Sequence, residues 1–438
     1  NPVYTGQVTI APFDLKKFLK TLNKEIPSTS DKDVLKNIAI KTDFSGEKTK
    51  FSLKNINAKL DETKLQGDIN IKSFTPLAVE FGVGIDKLNI DRYLPKQEKS
   101  KPVTPETVAV GVATSVPIQK LQKLNIKGDL AIGQLVISNA KLSDIALSVN
   151  TKEGVIELNP VMAKLYQGTY SGNVVLNMKD KIPSLIIQSK LAGVQTEPLL
   201  MDVMGTADLL GEANINLSLN STGLDVGKLK SSLSGSGDIA FKDGILKGVD
   251  IANALKQIEI MYESKRFSDV ETTGDTQFKS LTGTLKIKNG IIDNNDLLLS
   301  ATGFKVNGKG MLINLNDETW KYNMNVVVDN STATKDENRY NIGGYNILIK
   351  CRGKVINKRC LPDLGSMIEA LFKETTKEKL LDKIGIKIPG LTTKEEAPKQ
   401  EAPKQEAPKQ EAPKQEAPKE KQQTKPKDPL DDLKDAVI

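Results

Sequence analysis

Hydrophobic and polar residues alternate with a period of two along most of the chain, which is the pattern of half-buried β-strands. Residues 79–85 read Val-Glu-Phe-Gly-Val-Gly-Ile, and residues 145–149 and 215–219 alternate in the same way. The pattern predicts further strands at 38–44, 50–57, 67–73, 128–138, 173–178, 185–191, 298–306, 310–315, 321–328 and 346–351. Short amphipathic strands separated by turn residues predict a large antiparallel sheet system.

One strand-like motif occurs twice. Residues 237–248 read GDIAFKDGILKG, and residues 283–294 read GTLKIKNGIIDN. Asp243-Gly244 and Asn289-Gly290 are dipeptides that tolerate positive φ at both central positions of a type I′ turn. Both copies are therefore predicted to be β-hairpins closed by two-residue turns.

The predicted turns determine which residues face each other across each hairpin. Phe241 would lie opposite Leu246, and Ile287 would lie opposite Ile292. Each hairpin then carries an apolar cross-strand pair on one face, and what covers that face becomes the functional question.

Apolar residues at helical spacing predict three helices. The first begins after Asp14, a plausible N-cap, and has Leu15, Phe18, Leu19 and Leu22 on one face. The second and third carry similar stripes, namely Ile251, Leu255, Ile258 and Tyr262, and Leu364, Ile368, Leu371 and Phe372. We expect these stripes to pack against an edge or end of the sheet.

Charge and composition argue against nucleic-acid binding. The 438 residues carry a net charge of +7, from 62 basic and 55 acidic residues spread along the chain, and only 5% of the residues are aromatic. A surface that binds nucleic acid usually combines concentrated Lys and Arg with stacking aromatic residues. A weak attraction to anionic membranes is compatible with this charge.

The chain contains no histidine. Serine and cysteine triads and the common zinc and iron sites need an imidazole as base or ligand. The phosphate-binding and nucleophile-elbow glycine motifs are also missing. We therefore expect a protein that is not an enzyme and has no cofactor and no metal site.

Two cysteines, Cys351 and Cys360, enclose a short polar segment between predicted strands. Because no further ligands for a metal accompany them, a disulfide in an oxidising compartment is the favoured interpretation. Two free thiols in a reducing compartment are the alternative.

Composition also predicts the domain organisation. A β/α module at 1–95 is followed by a charged, proline-bearing linker at 96–116 and by a β-rich core at 117–392. Residues 393–438 contain tandem EAPKQ repeats with nothing to bury, so this tail is predicted to be disordered. We also expect an export or anchor segment to precede Asn1, because the chain begins inside a strand-like sequence.

So many amphipathic strands with so few helices leave a long apolar face that must be hidden from water. A second sheet could cover it, as in a β-sandwich, or the sheet could curl around lipid. The pattern of residues leaves both alternatives open.

Two regions resemble the AsmA family of bacterial envelope proteins. The block from LSGSGDIAFKDGILKGVDIANAL to GFKVNGKGMLINL is similar to the C-terminal core of that family. FDLKKFLKTLNKEIP, LDETKLQGDINI and GIDKLNIDRYLP resemble its opening region in order and spacing. The resemblance extends over about residues 1–390 and leaves out the EAPKQ tail.

The resemblance implies a mainly β fold with a few helices, in which an elongated, curled antiparallel sheet forms an apolar groove. It also implies a protein on the periplasmic side of the bacterial inner membrane, related to bridge-like lipid transfer proteins. The expected function is phospholipid transport between the inner and outer membranes and outer-membrane biogenesis. The alternative is an envelope scaffold or assembly chaperone for outer-membrane proteins, which would bind them by strand addition.

In the transport interpretation, phospholipid acyl chains are the ligands and further envelope proteins are partners. The candidate groove residues are Val79, Phe81, Val83, Leu217, Leu219, Ile239, Phe241, Leu246, Ile287 and Ile292.

Overall fold

A computed structural model describes residues 2–95, 122–264, 273–329, 346–354 and 359–363. These residues form 18 strands and four α-helices. The strands are β1 Tyr4–Phe13, β2 Ile38–Gly46, β3 Phe51–Leu60, β4 Thr63–Phe74, β5 Leu77–Asn89, β6 Asn125–Ile137, β7 Ala140–Lys152, β8 Val155–Leu165, β9 Gly168–Asn177, β10 Ser184–Gln195, β11 Leu209–Thr222, β12 Ser234–Leu246, β13 Thr276–Lys288, β14 Ile291–Ala301, β15 Phe304–Asn314, β16 Thr319–Val328, β17 Asn346–Lys354 and β18 Arg359–Pro362. The helices are α1 Leu15–Thr21, α2 Thr196–Met204, α3 Val226–Ser232 and α4 Ile251–Ser264, and a 3₁₀ turn spans Ile90–Arg92.

All strands belong to one curled, unclosed sheet, which confirms the predicted fold class. Each strand pairs with the next one along the chain, from β1 to β18, and the pairs are antiparallel except for β5 and β6. With neighbouring strands about 4.8 Å apart, such a sheet extends about 80 Å across its strands. The sheet is therefore a long, unclosed meander.

The parallel pair joins the strands on either side of the predicted linker. Ala78 of β5 lies beside Asn125 of β6, and Asn89 lies beside Val136. A parallel pair needs a crossover connection between its two strands. The sheet thus continues from the strands before the linker to those after it. The linker and the EAPKQ tail lie outside the described residues, and the division into domains stays a prediction.

The second predicted hairpin is confirmed. Asn289 and Gly290 both have positive φ, Lys288 pairs with Ile291, and Ile287 lies opposite Ile292. Asn-Gly is well suited to a type I′ turn because both residues tolerate the left-handed region.

The first predicted hairpin is wrong. Asp243 and Gly244 lie within β12, where the chain continues to Leu246 without turning. Phe241 lies opposite Ala213 and Leu281 rather than opposite Leu246.

Packing explains why Gly244 is used there without a turn. A Cβ on Gly244 would come within 2.2 Å of the Phe278 ring and 2.3 Å of the Leu210 carbonyl oxygen. The glycine therefore permits close approach inside an irregular strand, whereas Asp243 takes the positive φ. The dipeptide alone could not distinguish this use from a turn.

The predicted strand 298–306 is also wrong as a single element, because Thr302 and Gly303 form a turn between β14 and β15. The prediction also missed β8, α2 and α3. Pro160 interrupts the alternation of β8, and the two missed helices have only nine and seven residues. Such short segments give a weak periodic signal.

Two predicted helices are present. The Asp14 carboxylate accepts a hydrogen bond from the Lys17 backbone N–H at 2.9 Å and caps α1, as expected. The apolar side chains of α1 are not packed as expected, since Phe18 and Leu22 are each 51% exposed. The third predicted helix, at 364–373, lies outside the described residues.

Helix α4 has the buried stripe that its sequence predicts. Ile251, Leu255 and Ile258 are each at most 2% exposed, whereas the side chain of Tyr262 lies outside the described residues. These buried helix residues form the larger core together with buried residues from β11 to β17.

Candidate functional site

The pairing registers align apolar residues from strand to strand across the sheet. One row, which we call the long apolar row, contains one residue from each of the first 15 strands. Its members are Gly6, Phe44, Leu53, Ile69, Phe81, Gly128, Val149, Leu158, Val174, Ile187, Leu219, Gly235, Ile287, Ile292 and Ile313. Every member is apolar or glycine, so the row forms a continuous apolar path about 65 Å long.

Most of the long apolar row remains partly exposed. Of its non-glycine members, only Ile287 is buried, and the others are intermediate in exposure. Phe81 leans over Gly128, where a Cβ would come within 2.5 Å of its ring. The aromatic ring therefore fills the space that glycine leaves in the row, and the apolar surface has no gap at this position.

A second row lies on the same face, near the other end of the strands. This covered row consists of Val194, Ala213, Phe241, Leu281, Leu299, Val306, Val326 and Ile347. No member is more than 7% exposed. Its members from Ala213 to Ile347 belong to the core cluster that also contains the buried stripe of α4, whereas Val194 is buried outside that cluster.

The predicted groove residues share one face but differ in environment. Phe81, Leu219, Ile287 and Ile292 belong to the long apolar row, and Val79, Val83 and Leu217 lie in adjoining rows on the same partly exposed surface. Ile239, Phe241 and Leu246 instead pack with the core beneath α4. Sequence reasoning could not separate the two groups, because alternation identifies a face but not what covers it.

Sequence reasoning also missed most of the apolar surface. Leu53, Ile69, Val149, Leu158 and Val174 lie in the long apolar row, although none was a candidate. Their alternation was visible, but only the registers show that they align with Phe81 and Leu219.

Carboxylates hold the ends of the strands next to the partly exposed surface. Asp61, at the β3–β4 turn, accepts hydrogen bonds from the backbone N–H groups of Leu35 at 2.7 Å and Lys36 at 2.9 Å. It also accepts one from the Tyr93 hydroxyl at 2.9 Å. Burial raises the pKa of the Asp61 carboxyl, but these hydrogen bonds outweigh burial, so its pKa is lower than usual.

Asp91 acts in the same way at the next turn. Its two carboxylate oxygens accept from the backbone N–H groups of Ser138 at 2.7 Å and Asn139 at 2.8 Å. The 3₁₀ turn after β5 is thereby joined to the β6–β7 turn. Both carboxylates accept hydrogen bonds from backbone N–H groups. Their role is therefore to hold the turns in place rather than to act as acids or bases.

The opposite face of the sheet is polar. Asn216 donates to the Asp238 carboxylate at 2.7 Å across β11 and β12, and both residues are exposed. A depression of about 730 Å³ in this region is lined by polar side chains such as Gln188 but also by Leu217 and Leu285, so it does not belong to the polar face alone. The contrast between the two faces makes the apolar face the candidate functional site.

A single open sheet with one continuous apolar face defines a class of protein that presents a long hydrophobic surface. The family model of the AsmA family matches residues 12–297, more than half of the chain. The chain therefore belongs to the AsmA family and is an envelope-associated protein. No curated protein and no solved structure matches it.

Two features bear on its place in the envelope. Cys351 and Cys360 form a disulfide between β17 and β18, which confirms the predicted pairing and suits an oxidising compartment. Within the described ranges, no helix has the length and apolar character needed to span a bilayer.

Proposed function

We propose that this protein carries phospholipid on the periplasmic side of the inner membrane and supports lipid transport to the outer membrane. The observation that supports this function is the long apolar row, which continues over 15 strands and is mostly only partly buried. Monomeric soluble proteins rarely expose apolar surface of this extent, and such surface usually marks a binding site. A path about 65 Å long is sufficient for several acyl chains placed end to end.

The proposed mechanism is passive. Each CH₂ group that moves from water to an apolar surface contributes about 0.8 kcal/mol, and a bilayer offers nearly the same environment. Acyl chains would therefore exchange between bilayer and protein with little net change in free energy. The direction of transport would come from other components, and we propose that the chain itself is not an enzyme.

Native mass spectrometry of detergent-free protein tests lipid binding. We expect phospholipid to copurify with the wild-type chain. Leu217→Asp places a charge on the apolar face and should abolish copurification, because burying an unpaired carboxylate beside acyl chains is costly.

Ser218→Asp is the matched control, since this neighbouring side chain is exposed on the polar face of the same strand. It should retain lipid. If folded Leu217→Asp protein also retains lipid, or if wild-type protein carries none, the apolar face is not a lipid site.

The second candidate function is a scaffold or chaperone for outer-membrane proteins. Strand β1 favours it, because this edge strand has no charged residue and exposes nearly all of its side chains. Uncharged, exposed edge strands are prone to pair with other chains. A photocrosslinking residue at Val8 that captured outer-membrane proteins, with no phospholipid captured at Phe81, would favour this function.

A further inference from the structure

Helix α4 lies in a long excursion between two strands that already pair directly. Leu246, the last residue of β12, pairs with Thr276, the first residue of β13. The neighbouring strands β13 and β14 are joined by only two residues, Asn289 and Gly290. A two-residue turn would therefore be enough to connect β12 to β13. Helix α4 takes no part in the pairing of the strands.

The inner side of α4 occupies the apolar face of the sheet. Ile251, Leu255, Ile258 and Met261 are buried against the covered row. Ile260 on the other side of the helix is 63% exposed. The helix therefore covers apolar sheet surface of the kind that remains partly exposed along the long apolar row.

Hydrogen bonds hold the start of α4 next to the first residues of β13. The Thr276 hydroxyl accepts from the Ile251 backbone N–H at 3.0 Å and donates to the Val249 carbonyl oxygen. The Gly248 backbone N–H donates to the Asp275 carboxylate at 3.1 Å. Gly248 has a φ of +78° and has open space around it, so the chain can change direction here.

We propose that α4 is a hinged lid, with its hinge at residues 247–251, that keeps lipid off the covered row. This inference rests on the proposed function, in which acyl chains bind the apolar face. The buried stripe of α4 and an acyl chain compete for the same side chains, such as Phe241 and Leu281. When the lid swings out, every strand keeps its hydrogen-bonded neighbours, and the apolar surface available to lipid grows by the covered row.

Hydrogen exchange of the full, lipid-free chain tests the lid without reference to lipid. The amides of Leu255 to Met261 should exchange at least about tenfold faster than those of β12 and β13, because the helix opens while the sheet stays paired. Leu255→Ala should accelerate exchange in α4 and leave the two strands unchanged. If α4, β12 and β13 exchange together in both proteins, the helix is a permanent part of the core and the proposal is wrong.

A second experiment tests what the lid excludes. The reporter is Phe241→Trp in a chain that also carries Trp320→Phe, so that the one tryptophan lies in the covered row. We would add phosphatidylcholine vesicles with brominated acyl chains, which quench tryptophan on contact. Leu255→Asp should increase quenching of the tryptophan at position 241 at least about twofold over the same chain with Leu255 intact, whereas Ile260→Asp, on the exposed side of the same helix, should not.

A reporter in the long apolar row separates the lid from the proposed function. It is Phe81→Trp in a chain that also carries Trp320→Phe, and it should be quenched whether or not Leu255 is replaced. Quenching at position 81 without any gain at position 241 in Leu255→Asp would overturn the lid and leave the proposed function standing. No quenching at either position would overturn the proposed function, and the exchange experiment alone would then decide whether α4 opens.

Discussion

The long apolar row and the covered row lie on one face of one sheet, yet they are stabilised differently. The eight side chains of the covered row are nearly inaccessible to water, and all of them except Val194 belong to the core that contains α4. The long apolar row has similar residues but is only partly buried over most of its length. A hydrophobic strand face therefore does not by itself define a core, because its role depends on what packs against it.

The comparison also shows what replaces core packing where the face is open. Next to the partly exposed surface, Asp61 and Asp91 bind the backbone N–H groups of neighbouring turns. Hydrogen bonds to charged acceptors contribute about 1.5 to 3 kcal/mol each. The open part of the sheet thus combines apolar surface for binding with polar contacts that hold its strand ends.

The largest expected difference between the two rows is in the free energy of unfolding that is lost when a phenylalanine of each row is replaced by alanine. Phe241→Ala, in the covered row, should lower the free energy of unfolding by about 3 to 5 kcal/mol, because it leaves a cavity under α4. Phe81→Ala, in the long apolar row, should lower it by only about 1 kcal/mol, since that ring is already partly exposed. Urea denaturation measures both, and equal losses would contradict the distinction between the rows.

Removal of the disulfide should affect the covered end of the sheet. Replacing Cys351 and Cys360 together with alanine should lower the free energy of unfolding by about 2 to 3 kcal/mol, from the entropy of the closed loop. Lipid copurification should be unchanged, because the pair lies far along the sheet from Phe81. Loss of lipid from folded double-mutant protein would show that the two ends are coupled.

Replacing one glycine in each part of the sheet with alanine tests how tightly the backbone is packed there. Gly244→Ala should destabilise the protein by about 1 to 3 kcal/mol, because the new methyl group would meet the Phe278 ring and the Leu210 carbonyl oxygen. Gly82→Ala, where nothing lies within 4 Å of the added atom, should change stability by less than about 0.5 kcal/mol. Thermal unfolding of the two variants measures this difference, and a costly Gly82→Ala would mean that the open sheet is packed more tightly than the structure shows.

The smallest effect concerns the carboxylate that holds the open end. Because the pKa of folded Asp61 lies below its ordinary value of 3.8, its stabilising effect is present above that pH and is lost as the pH falls through the lowered pKa. Asp61→Asn should cost about 1 to 2 kcal/mol at pH 7 and progressively less below pH 4.

The pH dependence of denaturation in wild type and variant measures this effect. Asp238→Asn, on the exposed polar face, is the control and should change stability little. A penalty for Asp61→Asn that is the same at pH 3 and pH 7 would contradict the role assigned to the ionised carboxylate.

Local sequence was enough to predict most of the strands, the Asn289-Gly290 turn, the Asp14 cap and the buried stripe of α4. Each of these depends on residues close in the chain, through side-chain alternation, backbone preferences or helical spacing. The disulfide could also be predicted, because Cys351 and Cys360 bracket adjacent strands. The resemblance to the AsmA family rests on the same local motifs.

Only the tertiary structure decided how these elements combine. Asp243-Gly244 has the composition of a turn, but β11, β13 and the Phe278 ring hold it inside a strand. Leu219 and Phe241 look alike in sequence, yet one lies along the partly exposed path and the other beneath α4. Alternation specifies which side of a strand is apolar, whereas register and packing between distant segments decide whether that side faces a helix or remains open to a ligand.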